Sequence, residues 1–143
     1  MTKNFSTRID SIKQRFAAFS SPEDRYAHLM ELGRALPAYP IDFRTPKHVV
    51  PGCQSILYLK AYLKNENLYF WADSEALISK GLAALLIAAY SGLSPEEILR
   101  NPPAFLQEIG LFASLSPNRS NGLAHIYLRM KQEALKSLVI QKT

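Results

Sequence analysis

Two extended segments separated by a short polar turn lie near the centre of the chain and constrain its fold class. Residues 55–64 read SILYLKAYLK and residues 68–72 read LYFWA, both rich in the β-branched and aromatic side chains that strands favour. Asn65-Glu66-Asn67 between them predicts a turn, so an antiparallel hairpin is the simplest structure. Val49-Val50, just upstream, can pair alongside. We therefore expect a small antiparallel sheet of about three strands.

Helical patterns flank the hairpin on both sides. A first helix is predicted from about Asn4 to Ala18, because apolar residues recur there at spacings of three and four. Residues 82–90 are apolar on every side, which is typical of a buried helix. An apolar segment from Phe105 to Phe112 precedes the last helix. Helix starts are predicted at Ser21-Pro22, at Asp73-Ser74, which can cap the next helix, at Ser94-Pro95 and at Ser116-Pro117.

Helices come first in the chain, a hairpin follows, and helices return after it. This order predicts a compact α+β domain with helices on one face of the sheet. The 82–90 helix is expected to cover that face. Residues 1–143 are expected to form one domain, because we find no linker or repeat and the composition is 48% hydrophobic and 20% charged. Residues 1–10 lack the apolar core of a secretory signal, and the 82–90 run is too short to span a bilayer. We therefore expect no membrane partner.

The net charge of +5 raises the question of a nucleic-acid partner. The 17 basic residues are spread along the chain without a run of three, and the glycine-aromatic signatures of RNA-binding domains are missing. We therefore predict no binding to nucleic acid.

Cys53 is the only cysteine, and it stands in a turn-forming sequence. Pro51-Gly52 before it and Gln54-Ser55 after it predict a polar turn, whereas a core cysteine usually lies within an apolar strand or helix. One cysteine excludes an intramolecular disulfide and a four-cysteine zinc site, which predicts a reducing cytoplasm. Turn amides and nearby cations can favour a thiolate. The basic residues near Cys53 in the sequence are Arg44, Lys47 and Lys60.

Three reactive uses of this thiol can be compared with a purely structural one. A hydrolase needs a partner base, for which His28, His48 and His125 are the candidates. A mononuclear metal site needs several ligands, and Cys53 with His48 supplies two. Thiol exchange needs only one accessible sulfur, with the second sulfur brought by another protein or a small thiol.

The sequence around Cys53, Val50-Pro51-Gly52-Cys53-Gln54-Ser55, resembles the cysteine motif of the SufE sulfur-acceptor family. Further blocks resembling the family follow the same order, and the resemblance covers about residues 12–135. It implies an α+β, SufE/IscU-like two-layer domain. The other blocks are Glu31-Leu32-Gly33 with Leu36-Pro37, Asp73-Ser74 with Lys80-Gly81-Leu82, and Leu115-Ser116-Pro117-Asn118-Arg119 with Gly122-Leu123.

The resemblance implies a role in iron-sulfur cluster assembly. A pyridoxal-phosphate cysteine desulfurase, SufS- or CsdA-like, would place a persulfide sulfur on Cys53 and be stimulated in return. The sulfur would then pass to an iron-sulfur scaffold, SufBCD-like. This chain would need no cofactor or metal beyond the transient persulfide, and would act as a sulfurtransferase-like carrier without independent turnover. The alternative is an adaptor that binds the desulfurase without carrying sulfur.

The resemblance also suggests supporting residues for Cys53. Gly52 would allow the turn, Gln54 and Ser55 would orient it, and Arg119 would supply a charged contact. Structural roles remain open for the last three of these. One departure is Tyr58, where the family often has tryptophan. We expect Cys53 to be largely shielded in the free protein, with residues of the following strand and the 82–90 helix beneath it.

Overall fold

The computed structural model describes residues 4–111 and 115–142, in which six helices and a two-stranded sheet are defined. Two 3₁₀ turns, Ile41–Phe43 and Pro46–His48, precede the sheet. No helix among these residues is long and apolar enough to cross a membrane. In chain order the elements are α1 (Phe5–Ala17), α2 (Pro22–Arg34), β1 (Leu57–Lys64), β2 (Asn67–Ser74), α3 (Leu77–Tyr90), α4 (Pro95–Arg100), α5 (Phe105–Glu108) and α6 (Pro117–Lys142).

The hairpin confirms the α+β class with a small antiparallel sheet. β1 and β2 pair from Leu57 opposite Ser74 to Lys64 opposite Asn67. Only Asn65 and Glu66 form the turn, with φ of 53° and 69°, the backbone of a two-residue turn that matches strand twist. The predicted turn was therefore one residue too long.

The expected third strand is not formed among the described residues, where Val49 makes only an isolated bridge to Tyr58 on β1. A 3₁₀ turn ends at His48 and a second turn begins at Pro51. Two extended residues between turns are too few for a strand, although they are enough to join the cysteine segment to the sheet edge.

One face of the sheet packs on helices, as predicted. Alternate residues of β2 are buried and α3 lies against this strand, whereas the buried residues of β1 are Leu57 and Leu59. α3 itself is buried along most of its surface, but Ala88 is exposed, so the prediction of burial on every side was too strong. The buried residues of the sheet and α3 include Leu57, Leu59, Leu68, Phe70, Ala72, Leu82, Leu85 and Leu86.

α2 and α3 cross in very close contact at two glycines. A Cβ on Gly81 would lie 2.3 Å from the carbonyl oxygen of Leu29, and a Cβ on Gly33 would lie 2.9 Å from the backbone nitrogen of Gly81. The crossing brings the start of α3 close to α2, and so fixes the position of the segment that joins β2 to α3.

The predicted helix starts are confirmed for α2, α4 and α6 but not for α3. The hydroxyls of Ser21 and Ser94 accept from backbone N–H groups of their helices, and α6 begins at Pro117. α3 begins at Leu77, because Ser74 belongs to β2. Phe112, at the end of the predicted apolar segment, lies outside the described residues.

Candidate functional site

Cys53 lies in a six-residue segment, 51–56, that we call the cysteine loop. The residues on either side of it are joined, because the backbone N–H of Val50 donates to the carbonyl of Leu57 at 2.8 Å. Ser74 adds a second tie at the downstream end, where its hydroxyl donates to the carbonyl of Ile56 at 2.7 Å. The loop is thus closed at its base while Cys53 is carried between the two ends.

Arg129 of α6 holds the segment that enters the cysteine loop. Its guanidinium donates to the carbonyl of Lys47 at 2.7 Å and to that of Val49 at 3.2 Å. A third bond runs from its Nε to Glu133 at 3.3 Å, and only 15% of the side chain is exposed. Since hydrogen bonds to a charged group are stronger than neutral ones, this contact anchors the loop entrance to α6.

Gly52 is required by two independent features of the turn. Its φ is +86°, a backbone conformation that side chains disfavour. A Cβ at this position would also lie 2.5 Å from Nε2 of His125, on α6. The imidazole therefore packs directly on the glycine, which agrees with the turn-forming role predicted for Gly52.

The structure brings Cys53, Gln54, Ser55 and Arg119 together around one recess of about 340 Å³. Cys53 is half-buried, in agreement with the expected shielding. The recess wall also contains apolar side chains from three elements, namely Leu57 of β1, Leu82 of α3 and Ile126 of α6. Because α6 contributes Arg119, Gly122 and Ile126 at spacings of three and four, a single helix face forms one wall.

The electrostatics of this recess favour the neutral thiol at rest. Burial raises the pKa of Cys53, because an apolar surrounding disfavours the thiolate. Arg44, Lys47 and Lys60 are not among the residues lining the recess, so the idea that they activate the thiol finds no support. Arg44 bonds to Asp73 at 2.9 Å, and Nζ of Lys60 lies 4.4 Å from the ring centre of Phe43. Arg119 is the cation that the recess does contain.

Two of the three histidines are engaged in packing away from the recess. His28 is buried between Phe16 and Phe19, with ring centres 5.0 and 5.1 Å away. His48 is buried, with its Nδ1 hydrogen-bonded to Thr45 Oγ1 at 2.9 Å. Burial lowers the pKa of both histidines, which favours the neutral imidazole.

His125 packs on Gly52 from α6, but no hydrogen bond joins it to Cys53 among the residues that the structure describes. A cysteine–histidine pair of the kind a hydrolase needs therefore gains no support. A metal site gains no support either. Within residues 4–111 and 115–142, His, Cys, Asp and Glu side chains form no group of three or more able to hold a metal ion.

Sequence reasoning missed three residues that position the cysteine loop. Arg129 and His125 contact it from α6, and Ser74 was mistaken for a helix cap. The contacts of Arg129 span 80 and 82 residues, so no local pattern signals them. Tyr58, the departure from the usual tryptophan, keeps an aromatic contact with Tyr39, at 5.9 Å between ring centres.

Comparison with known proteins adds to this geometry. The family model "SufE: Fe-S metabolism associated domain" matches residues 10–134. The chain belongs to the SufE family. A solved structure of a hypothetical protein from Thermus thermophilus shares the fold, with a TM-score of 0.78 and 25% identity over 92% of this chain and 96% of that one.

Several curated proteins resemble this SufE-family chain along most of its length. "Sulfur acceptor protein CsdE" of Escherichia coli is 34% identical, covering 83% of this chain and 84% of that protein. "Cysteine desulfuration protein SufE" of Wigglesworthia glossinidia brevipalpis is 33% identical over 96% of both. "SufE-like protein 1, chloroplastic/mitochondrial" of Arabidopsis thaliana is 37% identical over 90% of this chain, which spans only 35% of that protein.

Proposed function

We propose that this chain accepts sulfur on Cys53 from the persulfide of a pyridoxal-phosphate cysteine desulfurase. The observation that carries the proposal is the placement of the only cysteine in a closed-base loop above a recess that is partly apolar and contains one arginine. Membership of the SufE family and the names of the bacterial relatives, a sulfur acceptor and a cysteine desulfuration protein, support it.

The transfer is a thiol exchange that balances without an outside oxidant. The Cys53 thiolate attacks the terminal sulfur of the donor persulfide, and the sulfur-sulfur bond of the donor breaks. The electron pair leaves with the donor cysteine as a thiolate, and Cys53 becomes a persulfide. Because burial raises the pKa of the resting thiol, its proton passes to solvent as Cys53 leaves the apolar surroundings, and the donor thiolate is free to take up a proton from solvent in turn.

The loop geometry suits this movement. Its ends stay fixed by the Val50–Leu57 bond and by Ser74, so the residues between them can extend without disturbing β1. A six-residue loop pinned at both ends reaches outward by roughly 10 Å when extended. In the proposal, this reach carries the sulfur from the recess toward the active site of a partner.

The residues around Cys53 have distinct parts in the proposal. Arg119, an exposed side chain of the recess lining, offers a positive charge to a sulfur anion returning to the recess. Gln54 and Ser55, which also line the recess, supply polar groups that would orient the turn. The recess then shelters the persulfide until an iron-sulfur scaffold takes the sulfur. The reducing compartment expected from the single cysteine remains a prediction.

Mass spectrometry tests the proposal directly. After incubation with a cysteine desulfurase and free cysteine, we expect an added mass of about 32 Da on Cys53, the persulfide. Cys53→Ser should carry none. Absence of the added mass on the native chain refutes the carrier role. Full stimulation of the desulfurase by Cys53→Ala would instead favour an adaptor.

A further inference from the structure

A second recess, outside the cysteine site, is lined almost wholly by charged side chains. It has a volume of about 210 Å³ and lies between the entrance to the cysteine loop, β1 and α6. We call it the cationic recess. Its polar lining consists of Lys47, His48, Lys60, Arg129, Glu133 and Lys136.

The charges in the cationic recess are unbalanced. Glu133 is the single carboxylate of the lining, and it is paired with Arg129 at 3.3 Å and with Lys136 at 3.7 Å. Lys47 and Lys60 have no acidic partner within 4 Å among the residues that the structure describes. Neither ammonium group is neutralised by a carboxylate, although that of Lys60 also lies over the ring of Phe43 at 4.4 Å.

The positive charges act on a common point. The pKa of His48 is lowered first by burial and then by Lys60, Lys47 and Arg129. Glu133 opposes this lowering, but it is the one carboxylate of the lining and is already paired with Arg129 and Lys136. Since like charges held close together repel one another, an incoming anion relieves that repulsion.

The size and chemistry of the recess limit the ligand. With a volume of about 210 Å³, the recess has room for a carboxylate group. The guanidinium of Arg129 is committed to two backbone carbonyls and Glu133. The remaining donors are flexible ammonium groups, and that of Lys136 belongs to a side chain that is 71% exposed. Such groups suit a carboxylate delivered by a protein surface better than a small anion held in a closed cage.

The position of the cationic recess beside the cysteine loop indicates which protein supplies the carboxylate. Arg129 holds the segment that enters the cysteine loop, and His125, which contacts Gly52, lies one turn away on α6, roughly 6 Å along the axis. A protein that reaches Cys53 must approach the same side of the molecule.

We propose that the cationic recess docks an acidic side chain, Asp or Glu, of the persulfide donor. The inference rests on the proposed function, since it takes the desulfurase as the donor. The docked acidic side chain raises the rate of productive encounters and orients the desulfurase over the cysteine loop. The sulfur transfer itself is left to Cys53.

The test compares two double variants that each remove two positive charges, so that their net charges are equal. In a Cys53→Ser background, which separates docking from transfer, the Kd for a cysteine desulfurase is measured by calorimetry over a range of NaCl concentrations. Lys47→Gln/Lys60→Gln should raise Kd by about two- to tenfold at low salt and flatten its salt dependence. Lys47→Arg/Lys60→Arg should bind like the parent. The matched control, Lys64→Gln/Lys131→Gln, removes two exposed lysines outside the recess lining.

Three results would overturn the docking inference. One is a Kd for Lys47→Gln/Lys60→Gln equal to that of the matched control at every salt concentration. A second is an equal loss of affinity in both variants, which would show a general charge effect. The third is binding of inorganic phosphate that depends on these two lysines while desulfurase affinity does not, which would make the recess an oxyanion site.

The proposed function and the docking inference fail separately. With Cys53 present, Lys47→Gln/Lys60→Gln should still gain about 32 Da at saturating desulfurase. Absence of that mass on the native chain refutes sulfur acceptance, whereas an unchanged Kd refutes docking alone.

Discussion

Replacing Gly52 by alanine tests how the protein retains Cys53 in its recess. The added Cβ would meet three ring atoms of His125, at 2.5, 2.6 and 2.7 Å, so the imidazole or the turn must move. The φ of +86° also becomes unfavourable. The turn is exposed and His125 is half-buried, so both can shift without opening the core.

The magnitude follows from these two contributions. A side chain at positive φ costs about 1–2 kcal/mol, and overpacking of this kind about 1–3 kcal/mol. In the proposed movement the cysteine loop opens while its base stays closed, so we expect most of this energy to favour opening and little to favour global unfolding. A shift of about 2 kcal/mol multiplies the open fraction by roughly 30.

The assay is alkylation of Cys53 by iodoacetamide, with thermal unfolding measured in parallel. We expect Gly52→Ala to accelerate alkylation at least about tenfold while Tm falls by only a few degrees. Gly52→Ala/His125→Ala should recover part of the native protection, because it removes the clash but not the backbone strain. An alkylation rate equal to that of the native protein would refute the reasoning, since the turn would then not hold the thiol.

Three further predictions concern the helices and the thiol. Gly81→Ala should destabilise the protein by about 3 kcal/mol or more in urea unfolding, because its Cβ would lie 2.3 Å from the Leu29 carbonyl oxygen. The control is Gly122→Ala, which should not destabilise the protein, because its Cβ meets nothing within 4 Å. Arg129→Gln should lower the free energy of unfolding by about 1–3 kcal/mol, since the carbonyls of Lys47 and Val49 lose a charged donor. Arg129→Lys should recover part of the lost stability. Native stability in the glutamine variant would contradict the anchoring role of Arg129. The pH profile of Cys53 alkylation should have a higher midpoint in the native than in the urea-unfolded protein, because burial raises the pKa of the thiol and lowers the thiolate fraction at a given pH. An equal or lower midpoint in the native protein would contradict the burial of Cys53 in apolar surroundings.

The elements predicted correctly from the sequence are those whose signals are local. Ser21 and Ser94 cap their helices through hydrogen bonds to residues three positions along, so their sequence context is sufficient. The hairpin is similarly local. Ser74 shows the limit of this reasoning, because its hydroxyl also finds a partner 18 residues away, at Ile56, and the residue remains in β2.

The properties of the cysteine site are likewise of two kinds, those that local sequence determines and those that depend on tertiary packing. A single thiol on a proline-glycine turn beside a hairpin could be predicted from the residues alone, because proline and glycine act on the backbone where they occur. Other properties of the site come from the packing of the folded chain: the thiol is half-buried with a raised pKa, Arg119 shares its recess, and Arg129 anchors the loop entrance. They depend on how α6 packs beside the turn, since desolvation and long-range hydrogen bonds arise only when distant segments meet.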